Sequence, residues 1–194
     1  MNTPRRPAMS ALAGSPGSIH GLIGMSIFDV ACEAVLAEEG ELSTDPSDPG
    51  NWTGGKCGIG KCIGTKYGIS SRSYPSLDIH NLTKSDALAI YRRDFWDKIS
   101  GDQLPAPVAI MVFDAAINQG LPTAISILQT AAGCLVDGRM GPATLAACGR
   151  KTPIALLTEI AALRALAYCR TGKQVYQLGW FRRLARVLVA ALAI

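Results

Sequence analysis

The run Val108 to Gln119, VAIMVFDAAINQ, constrains this chain more than any other stretch. It is apolar around almost the whole helical circumference, so it cannot lie at a surface and must be enclosed by other elements. Gly120 closes it, and Pro122 suits the first turn of a following helix over Thr123 to Ala132. Asp114, Asn118 and Gln119 are the polar residues of the run, and Asp114 and Asn118 share a face at four-residue spacing. Polar groups on an enclosed helix need partners. They are expected to tie down a neighbouring loop or to line a groove, with Asp114 in structural support and Asn118 and Gln119 as substrate contacts.

Helical patterns surround this run. Ile27 to Glu38 carries an apolar stripe, with Ser26 as N-cap and Asp29 in the first turn. Thr83 and Asp86 open a helix expected to continue to Ile99. Ala143 to Cys148 reads as a short helix, and Thr152-Pro153 starts a long one ending near Arg170. The tail from Gly179 to Ile194 is too short in its apolar part to span a bilayer and is read as packing on the core. The fold class is therefore mainly α, about six helices with at most a small β-hairpin. The 194 residues and 48% apolar content suit one globular unit. Residues 1–25 read as a flexible leader without the continuous apolar stretch of a signal peptide.

Between the first two helices the character changes. Leu42 to Ser73 holds Pro46, Pro49 and many glycines, and no helical pattern survives there. Lys66 to Ser70 has the alternation of a small hairpin. Just before this region Glu38-Glu39-Gly40 ends a helix, and Asp45-Pro46-Ser47-Asp48-Pro49-Gly50 forms an acidic turn. A glutamic acid at a helix C-terminus has its pKa raised by burial and by the negative end of the helix dipole, which suits a proton donor. Glu39 is the candidate general acid. Asp48, nine positions on, is the candidate second carboxylate, with Asp45 as its competitor; both residue types also serve simply to build turns before proline.

Six cysteines are too few for a disulfide scaffold. Cys32, Cys134, Cys148 and Cys169 lie in apolar contexts and read as buried thiols. Cys57 and Cys62 sit in the Gly-rich loop and are close enough in sequence for a local disulfide in an oxidising compartment. With two histidines in the chain, no metal site is expected, and no cofactor is implied. The net charge of +4 favours an anionic partner, but no basic stripe with interleaved aromatics points to nucleic acid.

The ordered pieces Phe28, Glu39-Gly40, Asp45 to Gly50 and Thr65-Lys66-Tyr67-Gly68-Ile69-Ser70 resemble glycoside hydrolase family 108. These are lysozyme-like N-acetylmuramidases that include phage endolysins and secretion-associated muramidases. The resemblance continues through Phe95-Trp96, Asp102 to Pro105, Phe113-Asp114-Ala115-Ala116-Ile117-Asn118-Gln119-Gly120, Val136-Asp137-Gly138, Gly141 to Thr144 and Gly179-Trp180. It implies a lysozyme-like α+β fold and hydrolysis of the β-1,4 bond between N-acetylmuramic acid and N-acetylglucosamine. Glu39 is then the acid, with Asp48 and Thr65 as its catalytic partners. Tyr67, like Tyr74 and Trp52, has a ring that can stack on a sugar, although such aromatics also serve in core or loop packing. The resemblance further implies a catalytic region over 26–120 and a helical peptidoglycan-binding-like region over 121–194, packed as one unit. The expected setting is a monomer acting on peptidoglycan in the periplasm or wall, reached through a holin or a secretion system. A binding or secretion-assisting module without catalysis is the alternative. The chain departs from the family where Glu41-Leu42 follows Glu39-Gly40, and where Asn51 to Gly64 separates the acidic turn from Thr65. That insertion leaves Thr53 and Thr65 as candidates for the family threonine, and the register of Tyr67-Gly68-Ile69 favours Thr65.

Overall fold

The computed structural model describes residues 25–36 and 42–194. Residues 1–24 of the leader and residues 37–41, with Glu38, Glu39, Gly40 and Glu41 among them, lie outside the described residues. Seven α-helices are present among them: α1 (Ile27–Leu36), α2 (Lys84–Tyr91), α3 (Ala106–Gln119), α4 (Leu121–Ala132), α5 (Pro142–Gly149), α6 (Pro153–Arg170) and α7 (Gln174–Leu192). One two-stranded antiparallel sheet, β1 (Thr65–Lys66) and β2 (Ile69–Ser70), completes a mainly α architecture with a small β-hairpin.

The all-round apolar character of α3 has the expected outcome. Val108 to Ala116 are all buried, and α3 packs against α1, α4, α6 and α7. An aromatic cluster locks α1 to its neighbours: the Phe28, Trp96 and Phe113 rings pack edge to face with centroids 5.4 to 6.0 Å apart. The caps read from the sequence form as hydrogen bonds. Ser26 and Asp29 bond reciprocally at the start of α1, and Thr83 and Asp86 make a full capping box at α2. Thr152 Oγ1 accepts the Ala155 N–H at the start of α6.

The helix expected to run to Ile99 stops earlier. After Tyr91 the backbone widens into a π-helical turn over Arg92–Trp96, then tightens into 3-10 turns over Asp97–Ile99 and Gly101–Gln103. Side chains supply the reason. Arg92 reaches Asp97 at 3.0 Å and also pairs with Asp102, while the Trp96 indole donates to Asp102 at 2.8 Å. These bonds reward a local change of helical pitch that propensity does not encode. Gly101 lies flat against the buried Trp96 ring, and a Cβ there would sit 2.3 Å from Cε2. Gly101→Ala should therefore cost about 1–3 kcal/mol through overpacking. A thermal melt beside the wild type checks this, and an unchanged Tm would refute it.

The tail forms one long helix. Leu184, Val187 and Ala191 of α7 are buried against the body, as expected for core packing. Among the described residues no single helix is long and apolar enough to cross a membrane.

Candidate functional site

The acidic turn is built by its own side chains. Asp45 Oδ1 accepts from both the backbone N–H and the hydroxyl of Ser47, at 2.8 and 2.7 Å, and these bonds hold its carboxyl below the usual carboxylate range. Asp48 Oδ1 accepts the Gly50 N–H at 2.8 Å, capping the 3-10 turn Pro49–Asn51. Asp48 is exposed, and its Oδ2 makes no bond among the described residues. Each aspartate thus spends Oδ1 on the turn and leaves Oδ2 without a bond among the described residues; they differ in that Asp45 Oδ1 takes two bonds and Asp48 Oδ1 one.

Thr65 lies on β1 and connects three strands of chain. Its backbone N–H and C=O exchange bonds of 2.9 Å with Ser43, next in line after Leu42. It pairs with Ser70 across the hairpin. Its hydroxyl donates to Asn51 Oδ1 at 2.7 Å. The turn between β1 and β2 is Tyr67-Gly68, with φ of 50° and 73°, the mirror-image two-residue turn that matches strand twist. Tyr67 is an uncommon non-glycine residue in that region. Its carbonyl accepts the Tyr91 hydroxyl at 3.0 Å and Lys66 lies over its ring, so the conformation is held from two sides.

The insertion is a closed excursion rather than an open loop. Trp52 pairs with Cys62, Gly54 N–H bonds Ile59 O, and Thr53 Oγ1 accepts the Lys61 N–H at 3.0 Å. At its base the Asn51 carbonyl accepts from Ile63 and Gly64, at 2.9 and 3.1 Å. The ends of the excursion therefore meet, and Gly64-Thr65 follows Asn51 in space although not in sequence. Cys57 and Cys62 are free thiols here, each directed at a carbonyl of the acidic turn: Ser47 O at 3.3 Å and Thr44 O at 3.7 Å.

Asp114, Asn118 and Gln119 assemble elsewhere, against α6 and α7. Asp114 is fully buried between Arg164, 2.5 Å from Oδ2, and Arg183, 2.7 Å from Oδ1. Asn118 Oδ1 accepts the Tyr168 hydroxyl at 2.7 Å, and Gln119 Oε1 accepts from Arg164 Nε at 2.8 Å. The expected tie from α3 to the acidic loop is thus absent from the bonds of Asp114, which run to α6 and α7 instead. Burial pushes the Tyr168 hydroxyl above its ordinary pKa, so it stays a donor. Two residues essential to these arrangements escaped the sequence reading. Arg164 is the one cation in the apolar run IALLTEIAALRALAYC, which is the signal for a buried charge seeking a partner. Asn51 carries no such signal, because asparagine in a Gly-Pro-rich turn is ordinary. Beside the hairpin, Tyr74 donates to Asp94 at 2.9 Å, and burial together with that carboxylate pushes its phenol up to about 12.

A helical body built on one enclosed helix, with a small β-hairpin and an acidic loop beside it, is the lysozyme-like architecture. The sequence model of the family Glycosyl hydrolase 108 matches residues 32–120. Among solved structures, Brucella abortus SagA superposes with a TM-score of 0.70 at 31% identity, over 86% of this chain and 94% of that one. No curated protein matches the chain. The chain belongs to the glycosyl hydrolase 108 family. It is accordingly a glycoside hydrolase of the peptidoglycan-hydrolysing type, with the cell wall or periplasm as its place of action.

Proposed function

We propose that this chain is an N-acetylmuramidase, a lysozyme cleaving the β-1,4 bond between N-acetylmuramic acid and N-acetylglucosamine. Glu39 delivers the proton to the leaving glycosidic oxygen. Asp48 acts on the opposite side, on the attacking water or on the positive charge that develops at the anomeric carbon. Thr65 holds the water.

The supporting observation is the convergence of the loop on Thr65. Ser43 pairs with Thr65 through two 2.9 Å bonds, and Asn51 joins Thr65 to the turn that carries Asp48. Glu39 precedes Ser43 by a stretch of chain that spans at most roughly 14 Å when fully extended. Asp48 and Thr65, from separate parts of the sequence, thus have their attachment points within one loop cluster, and the chain length from Ser43 keeps Glu39 within reach of it. The closed base of the insertion favours Thr65 over Thr53 as the water-holding residue. With Trp52 to Ile63 set aside, Asp48-Pro49-Gly50-Asn51 runs directly into Gly64-Thr65-Lys66-Tyr67-Gly68-Ile69. Thr53, by contrast, uses its oxygen within the excursion.

Tyr67 offers a ring for sugar stacking. The side-chain nitrogens of Asn118 and Gln119, which make no bond among the described residues, serve as donors to the substrate's acetamido or hydroxyl groups. Residues 121–194 form the wall-binding part, joined to the catalytic part through α3.

Mass spectrometry of digested, purified peptidoglycan tests the reaction. Fragments with reducing-end N-acetylmuramic acid are expected. Reducing-end N-acetylglucosamine would overturn the bond assignment, and binding without any release of reducing sugar would identify a non-catalytic wall module instead.

A further inference from the structure

The excursion from Trp52 to Ile63 creates a physical problem for the site proposed above. It separates the turn bearing Asp48 from the strand bearing Thr65 by a stretch rich in glycine, so covalent continuity cannot hold the two in register. Asn51 stands at the point where that continuity is lost. It is fully buried, although it belongs to an otherwise exposed or half-exposed loop. Its backbone N–H and C=O and both ends of its side-chain amide are bonded, and these bonds divide between the two sides. Towards the acidic turn, its backbone N–H donates to Asp48 O at 3.1 Å and Nδ2 donates to Asp45 O at 3.0 Å. Towards β1, its carbonyl accepts from Ile63 and Gly64, and Oδ1 accepts from the Thr65 hydroxyl.

The polarity of this last bond follows from the others. Asp45 O is a carbonyl and can only accept, so the amide nitrogen of Asn51 must face it and Oδ1 must face Thr65. An amide oxygen can only accept, so Thr65 must donate. Its hydroxyl hydrogen is committed to Asn51, and towards solvent Thr65 presents lone pairs alone. A water that donates one hydrogen to Thr65 Oγ1 and the other to a carboxylate turns its own lone pair outward, the orientation an attacking nucleophile needs.

We propose that Asn51 is the positioning residue of this hydrolase: it spans the excursion, holds the Asp48 turn and Thr65 together, and fixes the Thr65 hydroxyl as an acceptor for the attacking water. The inference rests on the assignment of Asp48 and Thr65 to the site. Asn51 touches no reacting atom and acts entirely through Thr65 and the turn.

A double-mutant cycle on the full chain tests it, with kcat, KM and Tm measured on soluble peptidoglycan fragments. Asn51→Ala and Thr65→Val are each expected to lower kcat about 30-fold or more with KM within about threefold. The double variant should fall well short of the product of the two single losses, because part of the effect of Asn51 passes through that hydroxyl. Asn51→Asp, whose carboxylate still accepts from Thr65 but cannot donate to Asp45 O, should lower Tm while keeping kcat within about tenfold of wild type. Kinetic losses that multiply in the double variant would overturn the proposal. So would a loss of kcat in Asn51→Asp equal to that of Asn51→Ala, or full activity in Asn51→Ala; the Asn51→Asp arm decides the question if Asn51→Ala does not fold. If Thr65→Val is fully active while Glu39→Gln is dead, Thr65 is not in the site and the positioning role falls with it. If Glu39→Gln is itself active, the failure belongs to the catalytic assignment.

Discussion

Asp114→Ala should unfold about 10 °C or more below the wild type, one of the two largest effects expected in this protein. Asp114 is completely buried, as is Arg164, and Arg183 closes on the other carboxylate oxygen. Removing the carboxylate leaves the Arg164 guanidinium in an apolar helix interface with Gln119 Oε1, the Met111 carbonyl and the Tyr168 hydroxyl as its remaining partners among the described residues. Breaking a buried pair from one side costs about 3–5 kcal/mol, because the surviving charge is no longer compensated. For a chain of this length each kcal/mol corresponds to roughly 2–4 °C in Tm. The sharper check is Arg164→Met combined with Asp114→Ala. Taking away both charges removes the stranded cation, so the double variant should melt above Asp114→Ala alone. Arg183 is 20% exposed and can turn its head to water. A Tm for Asp114→Ala within 2 °C of the wild type would show that the pair does not hold α3, α6 and α7 together.

Glu39→Gln should reduce wall lysis by about 10²–10⁴-fold while the melting curve stays unchanged. Glutamine keeps the size and the hydrogen-bonding capacity of the side chain but has no acidic proton to give the leaving oxygen. An effect of this size without loss of stability separates chemistry from folding, which Asp114→Ala does not. The measurement is a turbidity assay on purified peptidoglycan, paired with release of reducing ends and a far-UV circular dichroism melt. Full lysis by the glutamine variant would remove Glu39 from the mechanism, and a parallel loss of Tm would assign it to the fold. Asp48→Asn is the companion: its Oδ1 cap to Gly50 survives in the amide, so any kinetic loss is chargeable to the missing negative charge.

Much of the helical body was legible in the sequence. The circumferential apolarity of Val108 to Gln119 dictated an enclosed helix, and α3 is that helix. Reciprocal Ser-Asp and Thr-Asp capping at Ser26 and Thr83 marked two starts correctly, because capping is a contact between residues three apart and needs no tertiary partner. The helix through Arg92 failed at the point where Arg92 and Trp96 found Asp97 and Asp102. There the competing bonds come from side chains whose meeting depends on how the chain has already turned.

The candidate site divides along the same line. Residue types and order pointed to Glu39, Asp48 and Thr65, and to Asp114, Asn118 and Gln119, as polar groups that had to have a purpose. Linear spacing could not reveal that Asp114 bonds to Arg164 and Arg183, residues 50 and 69 positions away. Nor could it reveal that the glycine-rich insertion returns to its own base at Asn51. What amino-acid order alone settled here are local matters: periodicity, caps and turn chemistry. The pairing of Arg164 with Asp114, and the closure of the insertion that brings Gly64-Thr65 onto Asn51, were decided by folding. Each requires a buried polar group to find its partner across a long loop, and that partner becomes defined only when the surrounding core excludes water and leaves one satisfied arrangement.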